Sequence, residues 1–253
     1  MTGFVALLGH RNREVLATWR VWVLPSVLLL FAATGPPTAR YTRELLTWAM
    51  GDQASLLQTV DPTYLDSYAQ WSKNLTQLVV FVVVIMAAGA INGEVRSGSA
   101  VLLLVKPVSR TSFVLAHAVS LFGFVAVATA VGTAVTWVGT WLLFPEAPPG
   151  PLIVSTAVWL VLIAVLIAMA LLASAAVDAV AGAAGIGIGG FFLLAILGAV
   201  PAAAKHSPAG LTGLVGNLSI GEHMAVTWPV VTGAALAVVL LAAAVVVFSR
   251  REL

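Results

Sequence analysis

Reactive and ionisable side chains are sparse in this sequence, and the most informative group of them lies between Ile91 and Arg110. There Gly93 and Gly98 flank a charged turn, with Glu94 and Arg96 inside it and Lys106 and Arg110 beyond. Ser99 has the type and position to cap a short helix whose apolar face runs from Val101 to Val105, and Pro107 stops that helix. Ser109 or Thr111 can then cap the next helix. A short apolar helix rimmed by charges suits insertion into a groove on a soluble partner. The plainer alternative is a solvated loop whose basic residues only fix topology.

Other candidates for chemistry fail on context. His10, His117, His206 and His223 have no carboxylate partner at ligand spacing, which speaks against a metal site. His117 reads as a helix-packing or interfacial residue, and Asp178 either as a cap for the helix after it or as a second contact to a partner. Gly185, Gly187 and Gly190 fit a dinucleotide fingerprint by spacing, yet they lie in an apolar run with no strand before it. Close helix packing through Gly185 and Gly189 is the better reading. None of the three lysines sits in a Gly-x-x-x-x-Gly-Lys-Ser/Thr loop, so nucleotide hydrolysis is expected in another chain. Paired carboxylates, Ser/His arrangements and cysteine nucleophiles are likewise lacking, and no enzyme activity is expected of this chain.

The elements that must carry these residues follow from composition. Of 253 residues 60% are hydrophobic and only 9% charged, with a mean hydropathy of +1.05. That much apolar surface with so few charges requires lipid as part of the solvent. A hydrocarbon core about 30 Å thick takes roughly 20 apolar residues per helix, so six spans fit and an ATPase or receptor domain does not. The expected fold is all-α: a polytopic membrane protein, a single transmembrane domain over residues 1–253, with an amino-terminal interfacial helix and short outer helices. No basic run resembles a nucleic-acid footprint. Nine arginines against three lysines, with abundant Ala, Val and Gly, point to a bacterial source.

Residues 4–19 place Phe4, Val5, Leu8, Val15 and Trp19 on one face, as in a helix lying on a membrane surface. Span one is expected over Val21 to Thr34, with Pro25 a kink. A basic start followed by an apolar stretch and Ala32-Ala33 also has the order of a secretory signal. Residues 36–73, opened by Pro36-Pro37, are expected as an outer segment with one or two interfacial helices, Tyr41, Leu45 and Trp48 sharing a face. Asp61-Pro62 reads as a helix start from which the chain runs into span two, Leu75 to Ile91. Span three covers Phe113 to Phe144, span four Leu152 to Val177, span five Val180 to Val200 and span six Val230 to Phe248. Residues 201–228 form a second outer connection.

Orientation follows from Lys and Arg. With both termini cytoplasmic, the inner side carries Arg11, Arg13, Arg20, Arg96, Lys106, Arg110, Arg250 and Arg251, and the outer side Arg40, Arg43, Lys73 and Lys205. This bias of eight to four places residues 92–112 inside.

The order Gly93-Glu94, Ser97-Gly98-Ser99, a leucine-rich short helix and then Lys106-Pro107-Val108-Ser109-Arg110 resembles the first cytoplasmic loop of type-2 ABC transporter permeases. The six-span layout with an amino-terminal interfacial helix matches such subunits along the whole chain. The resemblance implies a permease subunit of an ATP-driven exporter in the plasma (inner) membrane. It implies a homodimer, and a cytoplasmic ATPase subunit that binds ATP and Mg; this chain holds no cofactor. The loop 92–112 would be the coupling loop, with Gly93, Glu94, Gly98, Leu103, Pro107 and Arg110 as the matching residues. Residues 208–224 would correspond to the short re-entrant helices of that family. A secondary transporter, or an assembly subunit without ATP coupling, is the alternative. On this reading Glu94 pairs with a basic group of the ATPase or caps the following turn, and its removal spares folding.

Overall fold

The computed structural model describes residues 7–9, 11, 20–50, 61–96, 98 and 109–251. Most of the expected interfacial segment 4–19, and Leu103 and Pro107 of the expected coupling loop, lie outside the described residues. Among those described the structure is helical, without strands. The helices are α1 (Arg20–Arg40), α2 (Thr42–Met50), α3 (Tyr64–Asn74), α4 (Val80–Arg96), α5 (Arg110–Leu143), α6 (Gly150–Ala176), α7 (Val180–Gly198), α8 (Pro201–His206), α9 (Gly210–Ser219) and α10 (Thr227–Arg250). A π-helical turn, Leu75–Val79, joins α3 to α4, making them one span. Six helices are long and apolar enough to cross a membrane, and the chain is a multi-pass membrane protein.

The helix boundaries correct the sequence reading in three places. Helix α1 does not end at Thr34 but continues through Pro36 and Pro37 to Arg40. The hydroxyls of Thr34 and Thr38 bond the carbonyls one turn earlier, Leu30 and Thr34, at 2.7 Å each. The expected outer segment 36–73 is thereby shortened at both ends, since 36–40 complete the first span and 64–73 begin the second. The start of α3 is Thr63, not Asp61: the Asp66 carboxylate accepts from the Thr63 N–H at 2.7 Å and from its hydroxyl at 3.1 Å. That is the reciprocal half of a capping box, which a Pro at position 62 alone would not give. Ser109, one of the two candidate caps of α5, accepts from the Ser112 N–H at 3.0 Å.

Helix α6 is the central strut. It packs against α4, α5, α7, α9 and α10, and Trp159, Leu162, Ile163, Val165 and Leu166 are fully buried along it. Helix α1 is peripheral and leans on α5 and α3. At the end of the bundle that holds Pro145, hydroxyls stitch the elements together. Ser67 meets Thr140 at 2.6 Å, and Ser72 meets Ser155 at 2.7 Å. Ser155 also donates to the Val215 carbonyl at 2.9 Å, and Tyr68 to Pro148 at 3.3 Å. These bonds tie α3 to α5 and α6, and α6 to α9, without charge. Outward, Tyr41, Leu45 and Trp48 are exposed, as an interfacial face of α2 requires.

Glycines permit the tightest approaches, but not the pair the sequence pointed to. Nothing lies within 4 Å of a Cβ built on Gly185 or Gly189, whereas one on Gly187 would meet Val84 at 2.6 Å and one on Gly190 would overlap Met169. At Gly198 the obstacle is the Ala209 carbonyl oxygen, at 2.6 Å, and at Gly210 it is the carbonyl of Ala204. Backbone cannot rotate away as a side chain can. Gly210→Ala is therefore expected to destabilise the fold by about 1–3 kcal/mol, while Gly185→Ala leaves stability unchanged. Denaturant unfolding in mixed micelles compares the two; equal midpoints would contradict the packing described.

Candidate functional site

The charged residues gather at the opposite end of the bundle, where α4, α6 and α10 finish and α5 and α7 begin. Helix α4 ends because Gly98 takes a left-handed conformation, φ 73°, and its N–H donates to Val95 at 3.2 Å. Glycine reaches that region at little cost, which is why it stands there. Glu94 lies in the last turn of α4, where a carboxylate opposes the negative end of the helix dipole. It is nonetheless buried, 8% exposed.

One cation and one imidazole meet it. Arg11 reaches Glu94 with both terminal nitrogens, Nη1 to Oε1 and Nη2 to Oε2, a two-pronged grip that fits a carboxylate. From α5, His117 Nε2 lies 3.0 Å from Glu94 Oε1, and its Nδ1 lies 2.8 Å from the Phe113 carbonyl oxygen one turn back. The Arg11 guanidinium also sits over the Phe113 ring, 5.4 Å from its centroid. Phe113 stacks in turn on Phe248 of α10, 5.1 Å between centroids and 8° between planes.

Neighbouring contacts join the remaining helices. Arg110, the first residue of α5, places Nη1 2.7–3.1 Å from the carbonyls of Phe248, Ser249 and Arg251 at the end of α10. Arg251 donates to the carbonyls of Ser174 and Ala175 at the end of α6, 3.2 Å each, and pairs with Asp178. Each guanidinium meets carbonyls of the last turn of a helix, where the dipole favours positive charge. Ser174 of α6 donates to the Ala88 carbonyl at 2.6 Å and accepts from the Asn92 N–H at 3.0 Å, both on α4. The four helices are thus linked in a closed circuit: α4 to α5, α5 to α10, α10 to α6, and α6 back to α4.

The residues expected to form the site divide accordingly. Glu94 and Arg110 belong to the circuit, and Gly98 ends the helix that carries Glu94. Gly93 is exposed with nothing near it, and Leu103 and Pro107 lie outside the described residues. Asp178 caps no helix: α7 starts at Ala179 without a side-chain cap, and the carboxylate serves Arg251. His117, expected to lack a carboxylate partner, has Glu94. Arg11, Ser174 and Arg251 were not singled out either. A usable signal existed, since Glu94 lies in the last turn of one span and His117 in the first turns of the next, at the same end of an antiparallel pair. Among the described residues no three His, Asp or Glu come together as metal ligands. Two apolar grooves open on the bundle's flank. One, about 550 Å³, runs between α5 and α6 past Thr133, Trp137, Leu152 and Thr156; the other, about 620 Å³, lies between α1 and α5 beside Pro37 and Gly139.

Burial changes what removing Glu94 should do. Glu94→Ala strands Arg11 and His117 in a desolvated site, which costs about 3–5 kcal/mol when one partner of a buried pair is lost. Folding is therefore not spared. The Arg11→Ala change should cost less in that background than alone, with a coupling energy of about 0.5–3 kcal/mol. Unfolding midpoints of both single variants and the double variant in micelles measure this, and strict additivity would show that the pair contributes nothing.

No curated protein matches the chain in a sequence comparison. Residues 56–253 match the sequence profile of a family described as protein of unknown function, DUF2705; they include Glu94, Arg110, His117, Ser174 and Arg251, so every link of the circuit lies in the matched part and Arg11 precedes it. The chain belongs to that family, DUF2705.

Proposed function

We propose that this chain is the transmembrane permease subunit of an ATP-driven ABC exporter, with the Glu94 end of the bundle in the cytoplasm. The observation that carries the reading is the closed circuit of polar contacts at that end. The loop 92–112, which resembles a coupling loop, springs from α4 and enters α5, and Glu94, His117 and Arg110 tie those two helices to each other and to α10. A push on the loop by an ATPase subunit is then delivered to four helices together. ATP and Mg belong to the ATPase, which binds and hydrolyses the nucleotide; this chain converts its closure into a change in the spans.

Orientation is supported by the eight-to-four bias of Lys and Arg. Pairing with a second copy is supported by surface: 67% of the apolar window of the α3–α4 span is buried, against 28% for α7 and 17% for α10. Exposed Phe192, Leu193, Ile196, Val238 and Val239 leave those helices for lipid or for a partner. The apolar grooves suit a hydrophobic or amphipathic substrate such as a drug, lipid or peptide.

A proton-driven secondary transporter is the second reading, favoured by the buried Glu94 and His117. Their place at the end of the spans counts against it, since coupling ions in such carriers bind near the midplane.

The chain has no cysteine, so Gly93→Cys and Glu146→Cys, both at exposed positions, give clean topology probes. Impermeant thiol reagents are expected to reach Gly93→Cys only from the cytoplasm and Glu146→Cys only from outside. Labelling of both from one side would overturn the orientation. Purified from its native membrane, the chain is expected to carry a Walker-motif ATPase. Retained export in vesicles that contain the chain and no ATPase would refute the proposal.

A further inference from the structure

Contacts between helices set a common depth scale at the Pro145 end of the bundle. Arg40, the last residue of α1, lies five residues beyond Gly35, and a Cβ built on Gly35 meets Gln70 Cγ of α3 at 3.9 Å. Asp66 lies four residues beyond Gln70 in the same direction, so Arg40 and Asp66 stand at one level. The Ser67–Thr140 and Ser72–Ser155 bonds carry the scale to α5 and α6. On it Lys73 is seven residues inward of Asp66, about 10 Å along the helix axis. That places Lys73 inward of Val138, Trp141 and Leu142 on α5 and of Ile153 on α6, all of them exposed. Side chains of that kind face lipid, so Lys73 stands inside the apolar slab, on another flank of the same bundle.

Lys73 is exposed, and the amides of Gln70 and Gln77 stand one turn before and one turn after it on the same face. Gln70 gives one N–H to Asn74 at 3.4 Å, which leaves its second. Asp66, the only carboxylate of α3, is engaged by the N–H and the hydroxyl of Thr63. Among the described residues no carboxylate pairs with Lys73. Inward of Gln77 the same helix exposes Leu78 and Ile85, and its surface turns apolar. We propose that this flank binds an anionic lipid, the phosphate on Lys73 between the amides of Gln70 and Gln77 and the acyl chains along Leu78 and Ile85. The order of the residues is the order of the molecule, with the head toward the surface and the tail toward the bilayer centre. A cation between N–H donors complements a phosphate and supplies its hydrogen bonds at a depth where water is scarce. A second copy, related by a two-fold axis along the membrane normal, brings a like charge to the same depth, so this face suits a lipid better than itself. The inference does not rest on the ATP-driven reading, and its readouts involve no ATPase.

The test uses the full chain in vesicles of equal parts phosphatidylglycerol and phosphatidylcholine, released into mild detergent for native mass spectrometry. The parent chain is expected to retain phosphatidylglycerol severalfold over phosphatidylcholine. Lys73→Gln should lose that preference and Lys73→Arg keep it, while Arg40→Gln, which removes a cation at the level of Asp66, leaves it unchanged. Equal retention of the two lipids by the parent chain, a preference that survives Lys73→Gln, or an equal loss in Arg40→Gln would overturn the proposal. Placement is read from the ³¹P signal of the retained lipid, since the chain has no cysteine of its own. A spin label on Gln77→Cys is expected to broaden that signal more than one on Val138→Cys, and equal broadening would refute the assigned flank. Oxidation that links two copies through Gln70→Cys would show a second copy on this face and would likewise sink the proposal.

Discussion

A charge placed among apolar helices must find its counter-charge within the chain, and at one end of this bundle that requirement organises everything else. Glu94 is buried near the end of α4, against the dipole of its own helix, and so recruits Arg11 and His117. His117 fixes the rotation of α5 about its axis, and that rotation aims Phe113 at Phe248. The first residue of the same helix, Arg110, then meets the last carbonyls of α10. Those contacts hold the tail of α10 where Arg251 can reach α6. Each step uses a group that is costly to bury alone, so the arrangement is specified by penalties for breaking it more than by the net worth of any one bond.

The two ends of the bundle solve the same problem with different chemistry. At the Pro145 end the bonds run between hydroxyls and carbonyls: Ser67 to Thr140, Ser72 to Ser155, Ser155 to Val215. Neutral groups of this kind strand no charge when they part. At the Glu94 end ions dominate, and around Arg11, Glu94 and His117 the partners are buried from water. The π-helical turn between α3 and α4 marks the change. The Thr76 hydroxyl takes up the Ser72 carbonyl at 2.9 Å, a side-chain bond that loosens the ladder locally. The extra residue of the turn re-aims the helix, from a hydroxyl-bearing face at Ser67 and Ser72 to an apolar one at Val80, Val83 and Val84.

What could be seen in the sequence was what depends on local pattern. Six apolar runs give six helices because hydropathy and length alone decide membrane spans, and the Ser109 cap and the Gly98 turn are local devices with local signatures. The end of α1 was misplaced because Pro36-Pro37 normally breaks a helix; here the packing of α1 on α5 keeps it going. Gly185 and Gly189 have the spacing of a packing motif, but spacing does not say which face of a helix turns inward, and Gly187 and Gly190 face the neighbours. The site was half legible. Glu94 and Arg110 stand out as charges beside spans, whereas their partners are set by three-dimensional pairing. Arg11 is 83 residues from Glu94 in sequence, and no periodicity announces that distance.

The circuit also bears on how such a bundle could move. Helices joined only by apolar contacts can slide in small increments, because the contacts are nondirectional and lipid competes for them equally. Helices joined by ions in a dry site cannot, since intermediate positions leave a charge unpaired; they stay or they part. Because α4, α5, α6 and α10 are tied in a ring, parting at one link leaves the other three as a connected chain, and the helices rearrange without dispersing. Arg110 and Arg251 are cations at any ordinary pH and meet carbonyls that do not titrate, so those links persist. The link between α4 and α5 joins the two helices that the loop 92–112 connects, so a force on that loop meets the ring there first.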